Sequence, residues 1–109
     1  MVLMRWICVL ALCLFHPAHS QEYAGDVPMA EYLALLNSVM PAARDGAEAY
    51  RGAFERRCGR AMKTVELRKA MSEGNGDPVL MGMIRASHYR DKATLVSLEA
   101  SVRCEQHGR

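Results

Sequence analysis

The sequence predicts an all-α fold, a compact bundle of four to five short helices stapled by one disulfide, Cys58–Cys104. Three observations lead there. Apolar residues recur at three- and four-residue steps through most of the chain beyond its first twenty residues. Proline, aspartate and glycine punctuate that pattern at places that start and stop helices. No alternating run long enough for a convincing strand interrupts it.

The N-terminus reads as a leader. "MVLMRWICVLALCLFHPAHSQE" carries one positive charge, Arg5, then an apolar run over 6–15. Ala18 and Ser20 place small residues at the −3 and −1 positions of a cleavage after Ser20, which makes 1–20 a secretory signal peptide. The apolar run is about half the ~20 residues that span a bilayer, so stable membrane insertion is not expected. The expected product is a single helical domain, 21–109, located in the periplasm.

Export decides how the cysteines are read. Of the four cysteines, Cys8 and Cys13 leave with the leader. Cys58 and Cys104 then remain in an oxidising compartment, where one disulfide is the simplest outcome. The charges balance closely: fourteen Lys and Arg against twelve Asp and Glu give a net +2, and Arg5 leaves with the leader. That is no basic excess of the kind a phosphate backbone attracts, so nucleic acid is excluded as a partner.

The helices follow in order. Asp26 with Pro28 two residues later suggests a helix start, since Asp accepts free N–H groups and Pro suits the first turn. Tyr32, Leu33, Leu35, Leu36, Val39 and Met40 supply its apolar stripe. Pro41 should kink or end it, because it lacks an N–H and clashes with the preceding turn. A second helical stretch places Ala43, Ala47, Tyr50, Phe54, Cys58, Ala61 or Met62, and Val65 on one face, with Gly59 as a candidate bend. It should stop at "SEGNGDP", where Asp77-Pro78 restarts a helix by cap logic.

A geometric argument shapes the rest. Cys58 lies about 18 residues before the Gly76 turn and Cys104 about 28 after it, so straight antiparallel helices would leave them roughly 15 Å apart in height. A disulfide tolerates Cα separations only to about 7 Å. Either the cysteines do not pair or one arm is not straight, and the second is expected. A short helix over 78–86, a break around Ser87 and His88, and a last helix over about 90–104 satisfy this.

Chemistry has few candidates. Cys104-x-x-His107 with Cys58 and His88 could hold a metal, but thiolates survive poorly in an oxidising compartment. Met81, Met83 and His88 form an alternative set whose thioethers and imidazole suit copper(I). That alternative reading makes the chain a periplasmic metal-binding or envelope-stress accessory protein. Against it, methionine is ordinary core filler. No nucleophile, phosphate-cradling glycine loop or paired-carboxylate motif is present, so no enzyme and no cofactor are expected. Carboxylates such as Glu31, Asp45, Glu48, Glu66 and Asp91 read as solvated faces and salt-bridge partners.

What remains is binding to another protein through surface complementarity, with a homo-oligomer left open. The "SEGNGDP" turn offers a polar tip of little bulk, with Glu73, Asn75 and Asp77 as partner-binding candidates; the bland alternative is an ordinary helix connection. With its export signal, short length, helicity and Cys58–Cys104 pair, the chain resembles in gross architecture the small periplasmic immunity proteins that neutralise peptidoglycan amidase toxins delivered by type VI secretion. No motif carries that resemblance. It implies inhibition of a cell-wall amidase by covering its active site, with no catalysis by the chain itself.

Overall fold

The computed structural model describes residues 27–105. The leader 1–20, its cleavage after Ser20, the Asp26 cap and His107 lie outside the described residues. Five helices follow one another: α1 (Met29–Val39), α2 (Pro41–Cys58), α3 (Thr64–Ser72), α4 (Pro78–His88) and α5 (Lys92–Glu99). Among the described residues there is no strand, so the all-α class stands.

Proline divides α1 from α2 as expected. Met40 adopts an extended conformation, and Pro41 occupies the first turn of α2, where its missing N–H costs nothing. The second helical stretch is not continuous, which corrects the expected single face running to Val65. Gly59 takes φ 71° in the left-handed region and caps α2, its N–H reaching the carbonyl of Glu55. A left-handed cap suits glycine because it has no Cβ to clash. The helix resumes only at Thr64, rotated relative to α2. Val65 consequently faces solvent at 37 % exposure, while Leu67 and Ala70 are buried in its place.

α3 starts on a carboxylate. Glu66 reaches back to the free N–H of Lys63 at 2.9 Å, the acidic half of a capping box. Arg60 clamps the same carboxylate with two hydrogen bonds of 2.8 Å, and its guanidinium lies 4.7 Å from the centroid of the buried Phe54 ring. The irregular 59–63 connection is thus held at both ends.

α2 is the central element, packed most heavily on α4. Its inner face is built from small residues, Ala42, Ala43, Gly46, Ala47 and Ala53, beside Tyr50 and Phe54. A Cβ on Gly46 would fall 2.5 Å from the Cα of Ile84, so the two helices touch backbone to backbone there. Tyr50, Phe54, Leu67, Leu80, Met83 and Val102 are the largest fully buried side chains and define the core.

Chain direction explains the disulfide. Gly46 meets Ile84 while Tyr50 bonds Asp77, so α4 runs antiparallel to α2. The chain then reverses at Tyr89 and Arg90, the latter at φ 55°. Leu98 of α5 packs on Gly82, so α5 returns alongside α4 in the direction of α2. Arg56 pairs with Glu99 at 2.9 Å, and the Nε–H of Arg57 donates to the carbonyl of Val102 at 2.9 Å. Cys104 therefore arrives beside the end of α2, and Cys58 and Cys104 are bonded with Cα atoms 5.4 Å apart.

The last arm bends, as the cysteine spacing requires, but its boundaries differ from expectation. The break falls at Tyr89–Arg90, just beyond Ser87 and His88, because α4 runs two residues further, to His88. α5 ends at Glu99, and Cys104 lies in an irregular segment beyond it, not at a helix end. Val102 inserts into the core from that segment with 1 % exposure.

Candidate functional site

The predicted tip is split by the fold. Glu73 and Asn75 are exposed in the connection between α3 and α4, whereas Asp77 is buried at 7 % exposure. One carboxyl oxygen of Asp77 accepts from the N–H groups of Val79 and Leu80 at 2.8 and 3.2 Å, capping α4. The other accepts from the Tyr50 hydroxyl at 3.1 Å, and the Asp77 N–H donates to the Ala70 carbonyl at 2.7 Å. Its carboxyl group thus ties α2 to the start of α4 and does not present itself to a partner. Cap logic placed it correctly; only its burial was illegible.

The alternative metal set is not assembled either. Met83 is fully buried in the core, Met81 is half-buried against Gly76, and His88 is exposed at the end of α4. Residues two apart on a helix point to nearly opposite sides, so one ion cannot take both thioethers. Cys58 and Cys104 are spent on their mutual bond.

A surface at the break expected around Ser87 and His88 stands out at the corner between α4 and α5. Tyr89 is 73 % exposed there, the edge of its ring set against the His88 ring with centroids 5.0 Å apart. Arg85, Arg90 and Lys92 surround it, all exposed. The corner is well held: the N–H groups of Tyr89, Arg90 and Asp91 donate to the carbonyls of Arg85, Ser87 and Ala86 at 3.1, 3.2 and 2.8 Å. Asp91, itself exposed, caps α5, accepting from the Thr94 N–H at 3.1 Å and the Thr94 hydroxyl at 2.6 Å. Those two hydrogen bonds hold its carboxyl below the usual range.

Ion pairs neutralise part of the surface charge. On α2, Arg44 and Arg51 share Glu48, Arg51 also meets Glu55, and Arg56 meets Glu99. Arg60 is held by Glu66. Arg85, Arg90 and Lys92 form no ion pair among the described residues, and neither do Arg57, Lys63, Arg68 and Lys69. The sequence signal that could have found the site is an aromatic flanked by cations, "RASHYRDK", where a helix breaks.

A second open surface lies on α1. Leu35 and Val39, one turn apart, are 57 % and 76 % exposed. Leu35 borders a shallow apolar groove that Tyr32 and Ala34 share with Arg68 of α3. Partial burial in that groove raises the Tyr32 phenol above its ordinary value, and the nearby Arg68 charge opposes the shift. No helix among the described residues is long and apolar enough to cross a membrane.

Comparison of the chain with protein-family profiles, with curated proteins and with solved structures finds no match.

Proposed function

We propose that the chain is an exported, non-enzymatic protein-binding module that acts in the periplasm as an immunity protein, covering the active site of a cell-wall amidase toxin. The observation that carries the binding reading is the α4–α5 corner. An aromatic side chain, Tyr89, is 73 % exposed on a rigid turn, although a tyrosine this exposed gains nothing from the chain's own core. Tyrosine and arginine are the residues that anchor protein interfaces. A scaffold closed by Cys58–Cys104 supports the reading further, since a pre-organised surface loses little entropy on binding.

The amidase and the periplasm come from the architectural resemblance and the leader, and they are tested directly. The protein is exported natively in a cell that also directs a type VI peptidoglycan amidase to its periplasm. Protection of that cell, with stoichiometric inhibition of the purified amidase, is the expected outcome. Lysis at the same rate with and without the chain would refute the immunity role.

A further inference from the structure

We infer that the α4–α5 corner docks into an acidic concavity of a partner protein, with Tyr89 entering it and Arg85, Arg90 and Lys92 pairing with carboxylates at its rim. The inference rests on the binding-module reading and names the chemistry of the partner at that site.

Three observations converge on it. The corner sets three cations that have no ion-pair partner among the described residues beside an exposed tyrosine. Its one acid, Asp91, is exposed but bonded to Thr94 at the start of α5, and the three cations outnumber it. A cationic rim around an exposed aromatic is complementary to an apolar-floored acidic cleft, and such complementarity steers encounter as well as fixing orientation.

The backbone points the same way. Arg90 holds φ 55°, a left-handed conformation that costs a non-glycine residue free energy and persists only where neighbours impose it. Here three backbone hydrogen bonds and the Asp91 cap impose it. The result is a held turn that can meet a partner without being reordered. Guanidinium groups on such a base suit carboxylates in fixed positions, through paired N–H···O contacts.

A membrane surface fits less well. Interfacial binding to anionic lipid needs a continuous apolar helical face to enter the acyl region. Around Tyr89 the exposed neighbours are His88, Arg90, Asp91 and Lys92, all polar.

The test uses the natively exported, disulfide-bonded full chain and a named probe, a hexaglutamate peptide with one internal leucine, followed by NMR chemical-shift perturbation. Vesicles rich in phosphatidylglycerol and heparin serve as competing polyanions. Expected are shifts confined to 85–92, affinity that falls with salt, and about tenfold or greater weakening in Arg85→Glu/Lys92→Glu. Tyr89→Ala should weaken binding as well, while Lys69→Glu, an exposed reversal on α3, should leave it unchanged. Perturbations scattered over other cations, an equal loss in Lys69→Glu, or preference for vesicles or heparin would overturn the inference.

The same variants separate it from the immunity role. An amidase inhibited equally by the parent chain and by Arg85→Glu/Lys92→Glu would sink the corner and leave the role standing. Peptide binding at 85–92 without amidase inhibition would do the reverse.

Discussion

At the scale of single residues, Asp77 and Glu66 show how much a carboxylate's meaning depends on what surrounds it. Both stand in the sequence as charged residues near helix starts. Asp77 is the buried junction of α2 and α4, bonded to two backbone N–H groups and to the Tyr50 hydroxyl. Tyr50→Phe should cost about 1 kcal/mol by removing one hydrogen bond. Asp77→Ala should cost more, about 2–3 kcal/mol, since it deletes a cap and strips a buried hydroxyl of a partner. Urea denaturation of the two variants checks the order; equal costs would contradict the junction role. Glu66 titrates below the usual range, first through its hydrogen bond to Arg60 and then through the Lys63 N–H, against the opposing effect of burial. A folded value below the unfolded one means that the unfolded chain takes up the proton first as pH falls. The stabilisation is therefore complete above the ordinary glutamate value of about 4.3 and is lost as pH drops through the folded value. Asp91 adds to the same acid-side loss through its bonds to Thr94. Thermal melts between neutral pH and pH 3 should show a shallower acid decline in Glu66→Gln than in the parent chain.

At the scale of elements, the α2–α4 contact is set by the absence of side chains. Gly46 looks in the sequence like a defect in a helix, because glycine disfavours helix relative to alanine by up to about 1 kcal/mol. In the structure its missing Cβ is what lets the Ile84 backbone approach. Gly46→Ala should thus destabilise by about 1–3 kcal/mol despite the better helix propensity, because backbone cannot move aside as a flexible side chain can. Unchanged or raised stability in that variant would disprove the close approach. α5 is the opposite case. It is eight residues long with none fully buried, too short to persist without support from its neighbours. Leu98 over Gly82, the Arg56–Glu99 pair and the Cys104 bond supply that support.

At the scale of the whole molecule, the disulfide closes a loop of 46 residues, and loop-closure entropy puts its contribution near 4 kcal/mol. Cys104→Ser should lower stability by a few kcal/mol. Hydrogen exchange should locate the first damage in α5 and the 100–104 segment, whose only core residue is Val102, while α2 and α4 keep most of their protection. Uniform loss across all five helices would show instead that the bond holds the bundle together as one unit. Free thiols in natively exported protein would remove the staple from the account altogether.

Much of this architecture is legible in the sequence by itself. Helical periodicity, the Pro41 and Gly59 breaks and the Asp77-Pro78 restart are local properties of the backbone, readable wherever they occur. Cysteine spacing and helical rise together pointed to a bent last arm once Cys58 and Cys104 are paired, because a disulfide cannot span the height difference of straight helices. Tertiary structure decided what those local rules leave open. The rotation of α3 past Gly59 exposed Val65 and buried Leu67, since a left-handed residue resets the helix phase that periodicity extrapolates. The same packing buried Asp77, turned the thioether of Met83 into the core and away from His88, and left Tyr89 with its unpaired cations outside. Local sequence sets where helices begin and end; which side of each one meets water depends on distant partners, and so does the surface offered for binding.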